Sequence, residues 1–215
     1  MFQTHLLPQP MIFDRLIAML KKRPLPTNKY RTTAGEGKSQ AFGIVRQRNG
    51  SYTGSRLNFE RLDVFAEILE IAKKILPPDF TYQSIQVNQN YRSQPHKDKG
   101  NLGISAIVGF GDYVGGALNI ETVDVDIKHK LIFFDGSELL HFTQVWEGDR
   151  YSLVFSRTQH SFTQMPEFRI VDNHLEELLD GVLIRYDNKG VPIWSSSGVL
   201  PLRKIRTPTL RKCIP

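Results

Sequence analysis

Cysteine is almost missing from this 215-residue chain, Cys213 near the C-terminus being the single one. An intrachain disulfide is therefore excluded, and so is a zinc site built on cysteine thiolates. Long apolar runs are missing as well. No stretch approaches the roughly 18 apolar residues of a membrane span, and in the opening "MFQTHLLPQPMIFDRLIAMLKKRP" the basic residues follow the apolar stretch instead of preceding it. Neither a secretory signal nor a membrane anchor is expected, and an intracellular, reducing compartment fits, whether a nucleus or a viral or microbial cytoplasm. Internal repeats are absent too. Acidic residues are the minority charge, 22 against 28 lysines and arginines, for a net charge of +6 and a pI near 9.4. This balance favours an anionic partner, because the basic residues gather in "KKRPLPTNKYR", "RQRNGSYTGSR" and "RKIRTPTLRK" with few acids between them. Solvated faces and a basic tail account for the same clusters equally well.

What is present is enough for one full core, 40% of the residues being hydrophobic. Residues 1–40 are expected to form an N-terminal extension, with a short amphipathic helix over 10–21 and a loop of turn formers over 24–40. "AFGIVRQR" begins a core spanning 41–157. Within it, "NFERLDVFAEILEIAKKIL" (58–76) places apolar residues at helical spacing, opened by Asn58 as a cap and stopped by Pro77 and Pro78. From residue 81 the pattern becomes short strands ("YQSIQVNQN", "GISAIVGFG", "GALNIETV", "HKLIFFDG", "LHFTQVWEG", "DRYSLVFS") separated by turn chemistry with no interleaved helix. That order predicts an α+β, mainly β chain: an antiparallel jelly-roll or cupin-like core supported by N-terminal helices. Residues 158–215 read as a C-terminal extension with one helix, "VDNHLEELLDG", and a basic tail.

The stretch "NQNYRSQPHKDKGNLGIS" carries more chemistry than a surface turn needs. It contains His96 and Asp98, and His141 opens a later strand just past the turn "DGSE". In a jelly roll those strand ends can be neighbours. Two imidazoles and a carboxylate on one face form the triad that holds non-haem Fe(II) with positions left open, although zinc accepts the same ligands. Arg150 and Ser152 share a strand face in "RYSLVFS". A guanidinium fork beside a hydroxyl suits a bidentate grip on a carboxylate, and a lysine would reproduce it poorly.

In this order, H96-x-D98, His141 and R150-Y-S152 resemble the Fe(II)/2-oxoglutarate-dependent dioxygenases. The resemblance implies a double-stranded β-helix, Fe(II) held by His96, Asp98 and His141, and 2-oxoglutarate held by Arg150 with Ser152. It further implies O2-dependent hydroxylation coupled to decarboxylation of 2-oxoglutarate to succinate. "SQAFG", "NQNYRSQPHKD" and "VGFGDYVGGALNIE" are similar to the TET/JBP branch, whose members oxidise the 5-methyl group of pyrimidines in nucleic acid. That likeness implies a co-substrate role for Arg92, while the chain departs from well-studied members in lacking a cysteine-rich zinc extension.

The remaining candidates divide between site and scaffold. Asn88 and Asn90 share a strand face and suit hydrogen bonds to the co-substrate or Asp98, or simply to strand-end backbone. His129 is an alternative ligand but alternates with Leu131 and Phe133; His5, His160 and His174 have no partners in sequence. "GDYVGG" reads as a tight hairpin, and "AGEGKS" lacks the spacing of a phosphate-binding loop. Phe42 and Trp146 are candidates to stack on a base, or are core aromatics. Lys38, Arg46 and Arg48 are expected to line a basic edge that closes over a polyanion, DNA being favoured. Three functions stay open: oxidation of a nucleobase flipped from its stack, hydroxylation of a prolyl or other protein side chain at the same centre, and a non-catalytic cupin-like metal-binding module.

Overall fold

This computed structural model describes residues 3–7, 10–27, 35–46, 52–158, 167–179, 181–187 and 189–198. A seven-stranded antiparallel sheet forms the centre. Its strands are β1 (Gln3–Leu6), β2 (Gly35–Arg46), β3 (Tyr52–Gly54), β4 (Ser84–Ser93), β5 (Ser105–Phe110), β9 (Lys130–Phe134) and β12 (Tyr151–Ser156), in the order β1-β9-β5-β12-β4-β2-β3. A smaller sheet holds β7 (Leu118–Ile120), β8 (Val123–Val125) and β10 (His141–Thr143), ordered β10-β7-β8. Strands β6 (Tyr113–Gly115) and β11 (Trp146–Gly148) pair beside it.

Strand periodicity divides the large sheet into two apolar faces. Phe42, Ile85, Val87, Val108, Leu153 and Phe155 point one way, into the core shared with Leu16 and Leu20 of α1 (Asp14–Lys22) and with Phe65, Ile68 and Ile71 of α3 (Leu62–Ile75). Ile107, Ile132 and Phe134 point the other way and meet Leu118, Ile120 and Val125 of the small sheet. The architecture is therefore helices on a large sheet on a small sheet, the double-stranded β-helix expected for a mainly β chain. Strand β5 is buried at all six positions, which explains why its sequence reads as an unbroken apolar run.

Three expectations are corrected. Strand β2 starts at Gly35, inside the predicted loop, and β1 adds a strand to β9, while α1 packs on the core as the supporting N-terminal helix expected. The helix of 58–76 is broken, α2 (Leu57–Glu60) and α3 being separated by Arg61 at φ −131°. Arg61 is buried there because its Nη2 donates to the Arg23 carbonyl at 2.7 Å. Asn58 caps no helix; its amide pairs both ways with the Gly43 backbone, at 2.8 and 3.0 Å. Finally, "VDNHLEELLDG" is no helix. Asp172 and Asn173 both lie at positive φ, the signature of a two-residue hairpin turn, joining β13 (Glu167–Val171) to β14 (His174–Leu179). With β15 (Val182–Tyr186) and β16 (Pro192–Ser195) they form a four-stranded sheet whose Leu175 and Phe168 pack on the helix-side core.

Candidate metal centre

Between the two sheets lies a cavity of about 160 Å³. Strand β4 builds its floor, and a local conformation decides which residues face it. Ser84, Gln86 and Asn88 line the cavity by simple alternation, but Asn90 then adopts φ 49°. The left-handed residue shifts the phase, so that Tyr91 and Ser93 face inward while Asn90 and Arg92 are exposed. Opposite it, Gly37 sits at φ 104° in a bulge of β2, where a Cβ would lie 1.8 Å from the Asn90 carbonyl oxygen. Only glycine tolerates that approach.

His96 and Asp98 follow β4, and His141 begins β10. Their ligand atoms lie within 4.8 Å of one another. His96 Nε2 is 3.4 Å from Asp98 Oδ1, and His141 Nε2 is 3.7 Å from Asp98 Oδ2. Each imidazole has its Nδ1 against a backbone carbonyl, Gln94 at 2.7 Å for His96 and Leu139 at 2.9 Å for His141. A carbonyl only accepts, so Nδ1 must carry the proton and both Nε2 lone pairs converge on the carboxylate. Burial holds the His141 pKa below its ordinary value, which keeps it neutral and able to ligate. Asp98 is held by its N–H to the Gly136 carbonyl at 2.7 Å and by Asn101 Nδ2 at 3.2 Å. Gly136 leaves the necessary space: a Cβ there would meet Asp98 Oδ2 at 3.2 Å and His141 Cε1 at 3.5 Å. Ser93 and Thr143 hydroxyls, 3.0 Å apart, tie β4 to β10 beside the ligands.

Arg150 and Ser152 line the same cavity and are almost fully buried. The guanidinium lies over the rings of Tyr113 (5.6 Å) and Trp146 (5.5 Å), and its Nε donates to the Gly116 carbonyl at 3.1 Å. Among the described residues, Arg150 Nη2 and Tyr113 Oη are buried and have no hydrogen-bond partner of normal geometry. Burial lowers the Arg150 pKa, but a guanidinium starts so high that it stays charged. Burial also pushes the Tyr113 phenol up to about 12, with the Arg150 charge acting against that rise. A buried cation and a protonated phenol with unspent donors are what an anionic ligand would satisfy.

The structure thus gathers His96, Asp98, His141, Asn88, Arg150 and Ser152 on one cavity and leaves other candidates outside it. Arg92 points to solvent. Asn90 serves the scaffold, accepting from the Arg150 N–H at 2.7 Å and donating to Asp149 at 3.3 Å. Phe42 is fully buried against Phe65, on the helix side of the sheet, and stacks on no base. Lys38, two residues before Gln40 and four before Phe42 on the same strand, shares that side, while Arg46 is exposed at the end of β2. Arg48 lies outside the described residues, as do His160 and the basic tail. His129 faces Phe13, not the ligand cluster. Tyr113 and Gly136 escaped sequence reading because each sits in a stretch that reads as a turn.

No protein-family model matches the sequence, and neither does any curated protein. Solved structures do match. One is described as NgTET1 in complex with 5mC DNA (TM-score 0.55, 16% identity, covering 76% of this chain and 74% of that one). A Pseudomonas putida prolyl-4-hydroxylase matches with TM-score 0.46 and 15% identity, over 74% of this chain and 93% of that one. A 2OG-Fe(II) oxygenase family oxidoreductase from Burkholderia pseudomallei matches with TM-score 0.46 and 17% identity, over 73% and 86%. Taken with its two facing sheets, the chain has the double-stranded β-helix fold of the TET structure.

Proposed function

We propose that this chain is an Fe(II)/2-oxoglutarate-dependent dioxygenase that hydroxylates a nucleobase, the 5-methyl group of a pyrimidine in nucleic acid being the preferred target. One observation carries the reading: an Nε2, Nε2, carboxylate cluster shares a cavity with a buried guanidinium whose Nη2 makes no hydrogen bond of normal geometry among the described residues. His96, Asp98 and His141 would hold the metal, and Arg150, Ser152 and Tyr113 the distal carboxylate of the co-substrate. Bound together, Fe(II), 2-oxoglutarate and O2 supply an oxidation that hydroxylates a C–H bond while the co-substrate loses CO2 and becomes succinate. The chain's own part is positional. The carbonyls of Gln94 and Leu139 fix the imidazole tautomers, Asn101 orients Asp98, and Ile107, Leu118 and Phe134 supply apolar wall among otherwise polar lining.

Support for nucleic acid comes from the net charge of +6 and from the fold shared with a protein solved on 5mC DNA. Incubating the iron-loaded chain with methylated oligonucleotides, DNA and RNA, and weighing the products should reveal a gain of one oxygen that needs 2-oxoglutarate. If oligonucleotides stay unchanged while a peptide gains the oxygen, the centre is a protein hydroxylase. Failure to consume 2-oxoglutarate with any substrate would leave a non-catalytic metal-binding module.

A further inference from the structure

Three hydroxyl and amide side chains form a row across the cavity floor. Ser39 of β2, Asn88 of β4 and Ser152 of β12 are direct cross-strand partners. Their hydrogen bonds run in one direction. Gln86 Nε2 donates to Ser39 Oγ at 2.8 Å, Ser39 Oγ donates to Asn88 Oδ1, and Asn88 Nδ2 donates to Ser152 Oγ at 3.0 Å. Ser152 therefore receives a hydrogen bond, and among the described residues its own hydroxyl hydrogen is given to none. The next position in the row, across β5, is Gly109, where a Cβ would lie 2.4 Å from Tyr113 Oη. A glycine there lets the phenol reach the end of the row.

We infer that Ser39 and Asn88 are positioning residues that make Ser152 a hydrogen-bond donor, so that the anion site selects a carboxylate over the matching amide. This rests on the reading of Arg150 and Ser152 as the seat of the distal carboxylate of 2-oxoglutarate. The reasoning is one of donor polarity. A hydroxyl can turn either lone pairs or a hydrogen toward a ligand, and with lone pairs turned inward it would accept from an amide NH2. Asn88 occupies one of the two lone pairs of Ser152, which turns the hydroxyl hydrogen away from Asn88 and toward the ligand. With Arg150 and the Tyr113 hydroxyl the site then directs its hydrogens at the ligand, which a carboxylate's two oxygens satisfy. The NH2 of an amide would face a donor and leave buried groups unpaired, a mismatch that discriminates strongly.

Asn88→Asp tests the polarity at constant shape. The new carboxylate only accepts, so it draws the Ser152 hydrogen toward itself and reverses the end of the row. Affinities for 2-oxoglutarate and for its distal amide, 2-oxoglutaramate, are measured by calorimetry on the full chain with Ni(II) in place of iron, so that no turnover occurs. The parent chain should prefer the acid. Asn88→Asp should shrink that preference by about tenfold or more, the effect of one charge-assisted hydrogen bond. Ser39→Ala, which frees the Asn88 amide without adding charge, should shrink it by about fivefold, and circular dichroism shows whether each variant is folded. An acid-to-amide ratio unchanged in the folded variants, while Arg150→Ala still weakens 2-oxoglutarate binding, overturns the relay alone. Binding that ignores Arg150→Ala, or no binding by the parent chain, overturns the anion-site reading and the relay with it.

Discussion

His96 and His141 bridge each other through their backbones, the His96 N–H donating to the His141 carbonyl at 3.1 Å and the His141 N–H to the His96 carbonyl at 3.0 Å. The spacing of the two imidazoles is thus set by main-chain pairing, which survives the loss of either side chain. The carboxylate is fixed the same way, through Asp98 N–H and the Gly136 carbonyl. Preorganisation of this kind would put the three candidate ligands in place before any ion arrived.

Truncating a ligand should therefore cost metal and little else. His96→Ala and Asp98→Ala, both at partly exposed positions, are expected to lose Fe(II) binding and succinate production while melting within a few degrees of the parent chain. His141→Ala should melt lower than either, because His141 is buried and packs edge-on against Phe134 at 5.0 Å. Metal titration beside thermal unfolding checks both halves; a His96→Ala chain that binds iron normally would remove the triad from the argument.

Gly136 offers a subtler probe. Its missing side chain is the space into which Asp98 and His141 fit, with Phe134 Cε2 3.4 Å from the place a Cβ would occupy. Gly136→Val should displace the carboxylate and lower metal affinity about 10- to 100-fold, the range for changes just behind a metal's ligands. Competition against a chelator of known affinity measures this.

The grouping of His96, Asp98, His141, Arg150 and Ser152 on one cavity was legible in the sequence because it depends on residue type and strand parity, both written locally. What was not legible turned on single backbone conformations. Strict alternation puts Asn88, Asn90 and Arg92 on one face; the left-handed turn at Asn90, matched to the bulge at Gly37 on another strand, sends the last two outward. The same kind of event hid the C-terminal sheet, where "HLEELL" has good helix formers but Asp172 and Asn173 close a hairpin before it. Phe42 could not be placed by type alone, since an aromatic suits a stacking platform and a core equally, and the core formed with α3 claims it.

Arg150→Lys keeps the charge but loses the fork and the Nε donor that holds Gly116. Affinity for 2-oxoglutarate should fall by an amount on the order of 1.5–3 kcal/mol. Tyr113→Phe removes only the phenol hydroxyl and should cost less, about 1 kcal/mol. The KM for 2-oxoglutarate, followed with kcat, separates weaker binding from damaged chemistry. An unchanged KM in Arg150→Lys would mean that the co-substrate binds elsewhere.

The C-terminal sheet carries a pH dependence of its own, remote from the cavity. Glu177 is buried and accepts from Tyr186 Oη at 2.7 Å. Burial raises its pKa above the ordinary carboxyl value, and the tyrosine's hydrogen bond offsets only part of that rise. The folded state thus holds the proton more tightly than the unfolded chain does. Its contribution to stability is complete below the unfolded pKa of about 4.3 and is lost as pH rises through the folded value. Glu177→Gln keeps an oxygen for Tyr186 and removes the titration. The melting temperature of the variant should exceed that of the parent at neutral pH, and the gap should close as pH falls toward 4. A gap that stayed constant over that interval would show that Glu177 folds with its charge intact, and that some unseen donor neutralises the cost of burying it.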